Sequence, residues 1–107
     1  MSEMIIVQND QGKTFEVCQG DPIMIRLEEN PTTGYRWEIA SVNQQIVEIV
    51  ESNYEIASGG GIGGGGTRLF QLRAKSPGTT NFELNLRRSW EPENHVIDRF
   101  SVNIQVL

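Results

Sequence analysis

The sequence predicts an all-β domain, an antiparallel β-sandwich of seven to eight strands. Three observations carry that expectation. Apolar side chains recur at every second position through most of the chain, turn residues punctuate those runs at short intervals, and a helical period nowhere persists beyond a turn or two. Residues that alternate in this way bury one face each, so two sheets sharing one core are expected.

Eight runs fit the pattern. The first is expected at 4–8 and the second at 13–18, where Phe15 and Val17 share a face. At 22–28 the alternation is clean, with Ile23, Ile25 and Leu27 inward and Met24, Arg26 and Glu28 outward. Residues 35–40 align Tyr35, Trp37 and Ile39, and Trp37, mid-strand on that face, reads as core. Residues 45–54 carry a thicker apolar run of Ile46, Val47, Ile49 and Val50, in which Val47 and Val50 also fit one helical turn. Three strands complete the chain: 67–74 burying Phe70, Leu72 and Ala74; 79–87 burying Phe82, Leu84 and Leu86; and 96–106 burying Phe100, Val102, Ile104 and Val106.

Length and composition set further bounds. With 107 residues the chain supports one hydrophobic core, so a single domain over 1–107 is expected. A formal net charge of −5 repels a polyphosphate backbone, which argues against nucleic acid as a partner. Cys18 is the only cysteine and His95 the only histidine, so no internal disulfide forms, and neither a metal site nor any other cofactor is expected. The N-terminus carries Glu3 where a secretory signal needs a base, and its apolar run, Met4 to Val7, is too short for a signal or a membrane span. As written, the chain is expected to be a cytoplasmic monomer without membrane contact, secreted or periplasmic only if a leader was removed.

Strand parity sorts the connections. If successive strands alternate in direction, the tight turns at 19–21, 41–44 and 76–78 lie at one end, and the connections at 9–12, 30–34, 55–66 and 88–95 lie at the other. Chemically unusual loops gathered at one end of a rigid scaffold are the pattern of a binding module. The inference requires 45–54 to be a single strand, because a break there would reverse the parity after it.

Each of the three unusual loops has its own chemistry. In Asn30-Pro31-Thr32-Thr33-Gly34-Tyr35, proline fixes its own φ and biases Asn30 away from the helical region, while Gly34 supplies a position for positive φ. The result is a short, stiff tip bearing two small uncharged threonines. The glycine run at 58–66 lacks the Gly-Lys-Ser/Thr of a phosphate loop and is followed by a strand pattern rather than a helix. It reads either as a flexible solvent loop or as bare backbone that another protein's backbone can approach. Trp90, flanked by Arg88 and Pro92, either continues the inward parity of Leu84 and Leu86 or stands outside the core as an interface anchor. Enzyme chemistry has little support: Cys18 and His95 fall at opposite ends on the parity map, and Glu28, Glu29, Glu48, Glu51, Glu91 and Glu93 are scattered like a solvated surface.

Asn30-Pro31-Thr32-Thr33-Gly34-Tyr35, then Gly61-Ile62-Gly63-Gly64, then Arg88-Ser89-Trp90, in that order on this strand framework, resemble the chagasin family of cysteine-peptidase inhibitors. The resemblance covers nearly the whole chain, and its first motif is the most specific. It implies an immunoglobulin-like sandwich, no enzymatic activity, and a papain-like cysteine peptidase of the cathepsin L type as partner. It also implies a wedge of three loops that plugs the partner's cleft. Thr32 and Thr33 would come nearest the catalytic cysteine, Gly61 to Gly64 would lie along the substrate cleft, and Arg88 and Trp90 would contact the primed side. Ser89 stands where the family usually has proline, which implies a more mobile third loop and some loss of affinity. An adhesion or scaffold module of the same immunoglobulin-like fold, binding a non-protease partner through the same end, is the alternative.

Overall fold

The computed structural model describes residues 3–30, 34–56, 65–88, 90–91 and 96–107. Its strands are β1 (Met4–Val7), β2 (Thr14–Val17), β3 (Pro22–Glu29), β4 (Tyr35–Ser41), β5 (Val47–Ile56), β6 (Gly66–Ala74), β7 (Gly78–Arg88) and β8 (Asp98–Val106). A short 3₁₀ turn, Gln8–Asp10, follows β1. The strands form two four-stranded sheets, ordered β1-β3-β6-β5 and β2-β8-β7-β4.

The expectation of wholly antiparallel sheets needs correction. The central pairs β3·β6, β5·β6, β7·β8 and β4·β7 are antiparallel, but β1 runs parallel to β3 and β2 runs parallel to β8. Strand directions still alternate along the chain. The two parallel pairs arise because β1 lies beside β3 and β2 beside β8, strands of equal parity, rather than beside each other.

Side-chain parity produces the core. Ile23, Ile25 and Leu27 of β3 face Leu72 and Phe70 of β6 and, from the other sheet, Phe82, Leu84, Phe100 and Val102, all of them buried. Trp37 is buried too, at 4% exposure. Burial of each such side chain contributes about 1.5–3 kcal/mol, and with no disulfide this packing holds the domain together. One core assignment shifts. Leu86 is only partly buried at the core margin, and Val50 is exposed, one outward step beyond Ile49 in the ordinary alternation of β5. The β5·β6 register slips between Ile49 and Glu51, and the helix-like spacing of Val47 and Val50 has no structural counterpart, since one is buried and the other exposed.

At one end of the sandwich the tight turns are tied to each other. Gly20 N–H donates to the Ala74 carbonyl at 2.7 Å, Ala74 N–H to Asp21 at 2.9 Å, and Lys75 N–H to Ile46 at 2.8 Å. Asn43 N–H donates to the buried Thr80 hydroxyl at 2.9 Å. Both described chain ends lie here as well: Met4 pairs with Ile23, and Leu107 N–H donates to Val17.

The turn after β1 contains a titratable clasp. The Asp10 carboxylate accepts hydrogen bonds from Val7 N–H and Lys13 Nζ, each at 3.0 Å. The Val7 bond, then Lys13, holds its pKa below the ordinary 3.8. A carboxyl depressed in the folded state stabilises above its unfolded pKa and loses that contribution as pH falls through its folded pKa. Asp10→Asn is therefore expected to melt below the parent at pH 7, with the gap closing as pH drops below 3.8, as thermal melts across pH will show.

Candidate functional site

The inward parity of β3 does not stop at Leu27. Its next inward position is Glu29, 4% exposed, so the reading of this acid as solvated surface is overturned. Its carboxylate accepts three hydrogen bonds: Trp37 N–H at 2.9 Å, Arg68 Nε at 3.1 Å and Arg68 Nη2 at 2.7 Å. The adjoining main chain is held as well. Tyr54 donates its hydroxyl to the Glu29 carbonyl at 3.1 Å, and the Trp37 indole N–H donates to the Glu28 carbonyl at 2.9 Å. A buried carboxylate is tolerable only with such full pairing. The end of β3, where the Asn30 loop begins, is thereby gripped from β4, β5 and β6 at once.

The far root of that loop meets the third loop. Gly34 has φ +80°, and a Cβ added there would overlap Trp90 Cη2 and lie 3.1 Å from Cζ2 and 3.3 Å from Cζ3. The indole thus lies directly on the Gly34 backbone. Trp90 is nonetheless 70% exposed, so it stands outside the core. Next to Gly34, Tyr35 pairs with Arg88 across β4·β7. The Arg88 guanidinium sits over the Tyr35 ring at 4.3 Å and within 5.8 Å of the Trp90 ring, a cation–π arrangement that orients the tryptophan. A tight turn carries Trp90, with Glu91 N–H donating to the Arg88 carbonyl at 3.2 Å. Arg87 braces that turn, donating to the Glu91 carbonyl at 2.7 Å and to the Glu38 carboxylate at 2.8 Å.

The glycine loop is rooted beside the first. Gly66 pairs with Glu29 on one side and Ile56 on the other, so the strands flanking this loop end level with the start of the Asn30 loop. A Cβ at Gly66 would collide with the Glu55 carbonyl and the Tyr54 hydroxyl, which makes glycine a packing requirement here. Beyond Gly66 the chain enters β6 directly, a strand and not the helix that a phosphate loop would need.

The structure therefore brings together Asn30, Gly34, Tyr35, Arg88 and Trp90 with both roots of the glycine loop. Pro31, Thr32, Thr33, Gly61, Ile62, Gly63 and Gly64 lie outside the described residues, as do Ser89 and His95. Cys18 is exposed in the turn at the other end, where its N–H donates to Asp21. Among the described residues no group of three His, Cys, Asp or Glu could hold a metal ion. Glu29, Arg68 and Tyr54 were not expected at the site. The strict alternation through Ile23, Ile25 and Leu27 pointed to Glu29, but its charge suggested the opposite.

Comparison with known proteins gives the family and the fold. The family described as Chagasin family peptidase inhibitor I42 matches residues 16–104. Chagasin of Trypanosoma cruzi is 30% identical over 105 residues, which cover 94% of each chain. The crystal structure of the cysteine protease inhibitor EhICP2 from Entamoeba histolytica shares the fold, with a TM-score of 0.86 at 22% identity over 98% of this chain and 95% of that one. PbICP-C, solved in complex with falcipain-2, shares it with a TM-score of 0.72 at 14% identity over the whole of both chains. With a family match across β2 to β8 and a full-length relative at this identity, the chain belongs to the chagasin family of peptidase inhibitors.

Proposed function

We propose that this protein is a reversible, tight-binding inhibitor of papain-like cysteine peptidases of the cathepsin L type, filling the active-site cleft with three loops and catalysing no reaction itself. The observation that carries the reading is the convergence of all three loop roots at one end, with Trp90 exposed yet fixed on Gly34. Family membership supports the activity, and the complex of PbICP-C with falcipain-2, a papain-like peptidase, supports the partner class.

The mechanism follows from what such a peptidase needs. It cleaves a carbonyl that is held in line with its thiolate and its oxyanion donors. The tip at Thr32 and Thr33 would occupy that space with its carbonyls misaligned, giving the thiolate nothing to attack. Gly61 to Gly64 would lie along the substrate cleft, and Trp90, with Arg88 behind it, would pack on the primed side. Because the frame holds the loop roots in advance, little ordering would remain there on docking.

Titrating papain with the pure protein tests this reading. Expected are loss of activity at one inhibitor per enzyme, recovery on dilution, and an uncleaved inhibitor. Absence of inhibition at micromolar concentration would overturn it and favour a non-protease partner.

A further inference from the structure

We propose that Glu29 is a positioning residue for inhibition, a single buried carboxylate that fixes the spacing between the Asn30 loop and the glycine loop. The inference rests on the inhibitory reading above and assigns a role to a residue behind the contact surface. Glu29 immediately precedes Asn30. It holds Arg68, two residues beyond Gly66, and the main chain of Trp37, three residues beyond Gly34. One side chain therefore links the entry and exit of the first loop to the exit of the second, and joins the two sheets where both loops leave them.

Stability alone does not call for charge at this place. Apolar side chains of similar volume commonly replace a buried ion pair with no loss, because desolvation of two charges offsets much of their attraction. The pair supplies direction instead. A guanidinium fork meeting a carboxylate in two parallel hydrogen bonds fixes both distance and plane, and the backbone donor from Trp37 fixes the third side. The Glu29 and Arg68 side chains are 1% and 17% exposed, whereas in the Arg73–Glu48 pair the side chains are 57% and 39% exposed. Only the first pair lies under the loops. A glycine-rich segment has much freedom to lose on docking, so a fixed root beside it reduces the ordering left to be done.

The test compares Glu29→Gln, the double variant Glu29→Met/Arg68→Met, and Glu48→Gln as a control, each assayed against papain well below its melting temperature with the folded fraction set by circular dichroism. Both Glu29 variants are expected to raise the inhibition constant roughly tenfold to a hundredfold, with Glu48→Gln unchanged. The double variant, which removes the unpaired Arg68 charge but leaves the Trp37 N–H without its acceptor, is expected to regain part of the thermal stability without regaining inhibition, a separation that a purely structural role would not give. In the free protein, the amide resonances of Gly34, Trp37 and Gly66 are expected to shift in Glu29→Gln while that of Gly20 stays. Parent-like inhibition by either folded Glu29 variant, or unmoved amides at Gly34 and Gly66, would overturn the proposal. If the double variant does not fold, Glu29→Gln decides. If the parent itself fails to inhibit papain, the inhibitory reading falls, and with it the role of Glu29 in inhibition.

Discussion

Trp90→Ala is expected to weaken papain inhibition by about thirtyfold to a thousandfold while shifting the melting temperature little. An exposed tryptophan on a braced turn is the kind of residue that dominates an interface, and truncating such an anchor costs about 2–4 kcal/mol of binding. Its hold on this protein is slight by comparison: the indole is 70% exposed and rests on Gly34 backbone. Folding therefore loses an edge contact and an exposed cation–π contact with Arg88, together within about 1 kcal/mol. Trp90→Phe should recover part of the loss, since a smaller ring still presents an aromatic face. The measurements are tight-binding inhibition constants and thermal melts on the same preparations. A change of inhibition constant under about threefold for Trp90→Ala, well short of the 2 kcal/mol that marks an anchor, would remove it from the docking edge.

Gly34→Ala should lower stability and inhibition together, for two separable reasons. A side chain at φ +80° costs roughly 1–2 kcal/mol of backbone strain, which lowers the melting temperature by several degrees in a domain of this size. The new methyl would also occupy the place of the Trp90 ring, so the ring or the loop must move. Gly20→Ala separates these effects. Gly20 has φ +93° with no atom within 4 Å of an added Cβ, and it lies at the end remote from the loops. It is expected to show the strain without any change in inhibition, whereas Gly34→Ala is expected to weaken inhibition by about tenfold or more. Combining Gly34→Ala with Trp90→Ala should be less than additive, because both act on one contact. Equal inhibition by the Gly34 and Gly20 variants would mean that the Trp90–Gly34 contact does not shape the docking edge.

Much of this architecture was legible in the sequence because a sandwich writes itself as period-two alternation. Ile23, Ile25 and Leu27 announced β3, and Phe100, Val102, Ile104 and Val106 announced β8, at nearly their observed bounds. Parity also put the described loop roots at one end, since 45–54 proved to be one strand, displaced to Val47–Ile56. Neighbour relations were not legible: alternation gives a strand's direction and buried face but not the strand beside it, so the parallel pairs at the sheet edges went unforeseen. Trp90 was undecided because two further inward steps from Leu86 and an exposed turn give the same spacing, and only the turn closed by Glu91 N–H separates them. Glu29 was misjudged because its charge was weighed without its partner. Arg68 lies far along the chain, and nothing local marks the two as a pair.

The placement of the chain ends at the tied turns has a practical corollary. Met4 lies beside Ile23 and Leu107 beside Val17, so both described chain ends lie at the pole turned away from the tryptophan and the glycine roots. A tag, a fluorophore or a second protein fused at either terminus would trail behind a docked molecule, which suits the fold to display on a bead or to linkage in tandem.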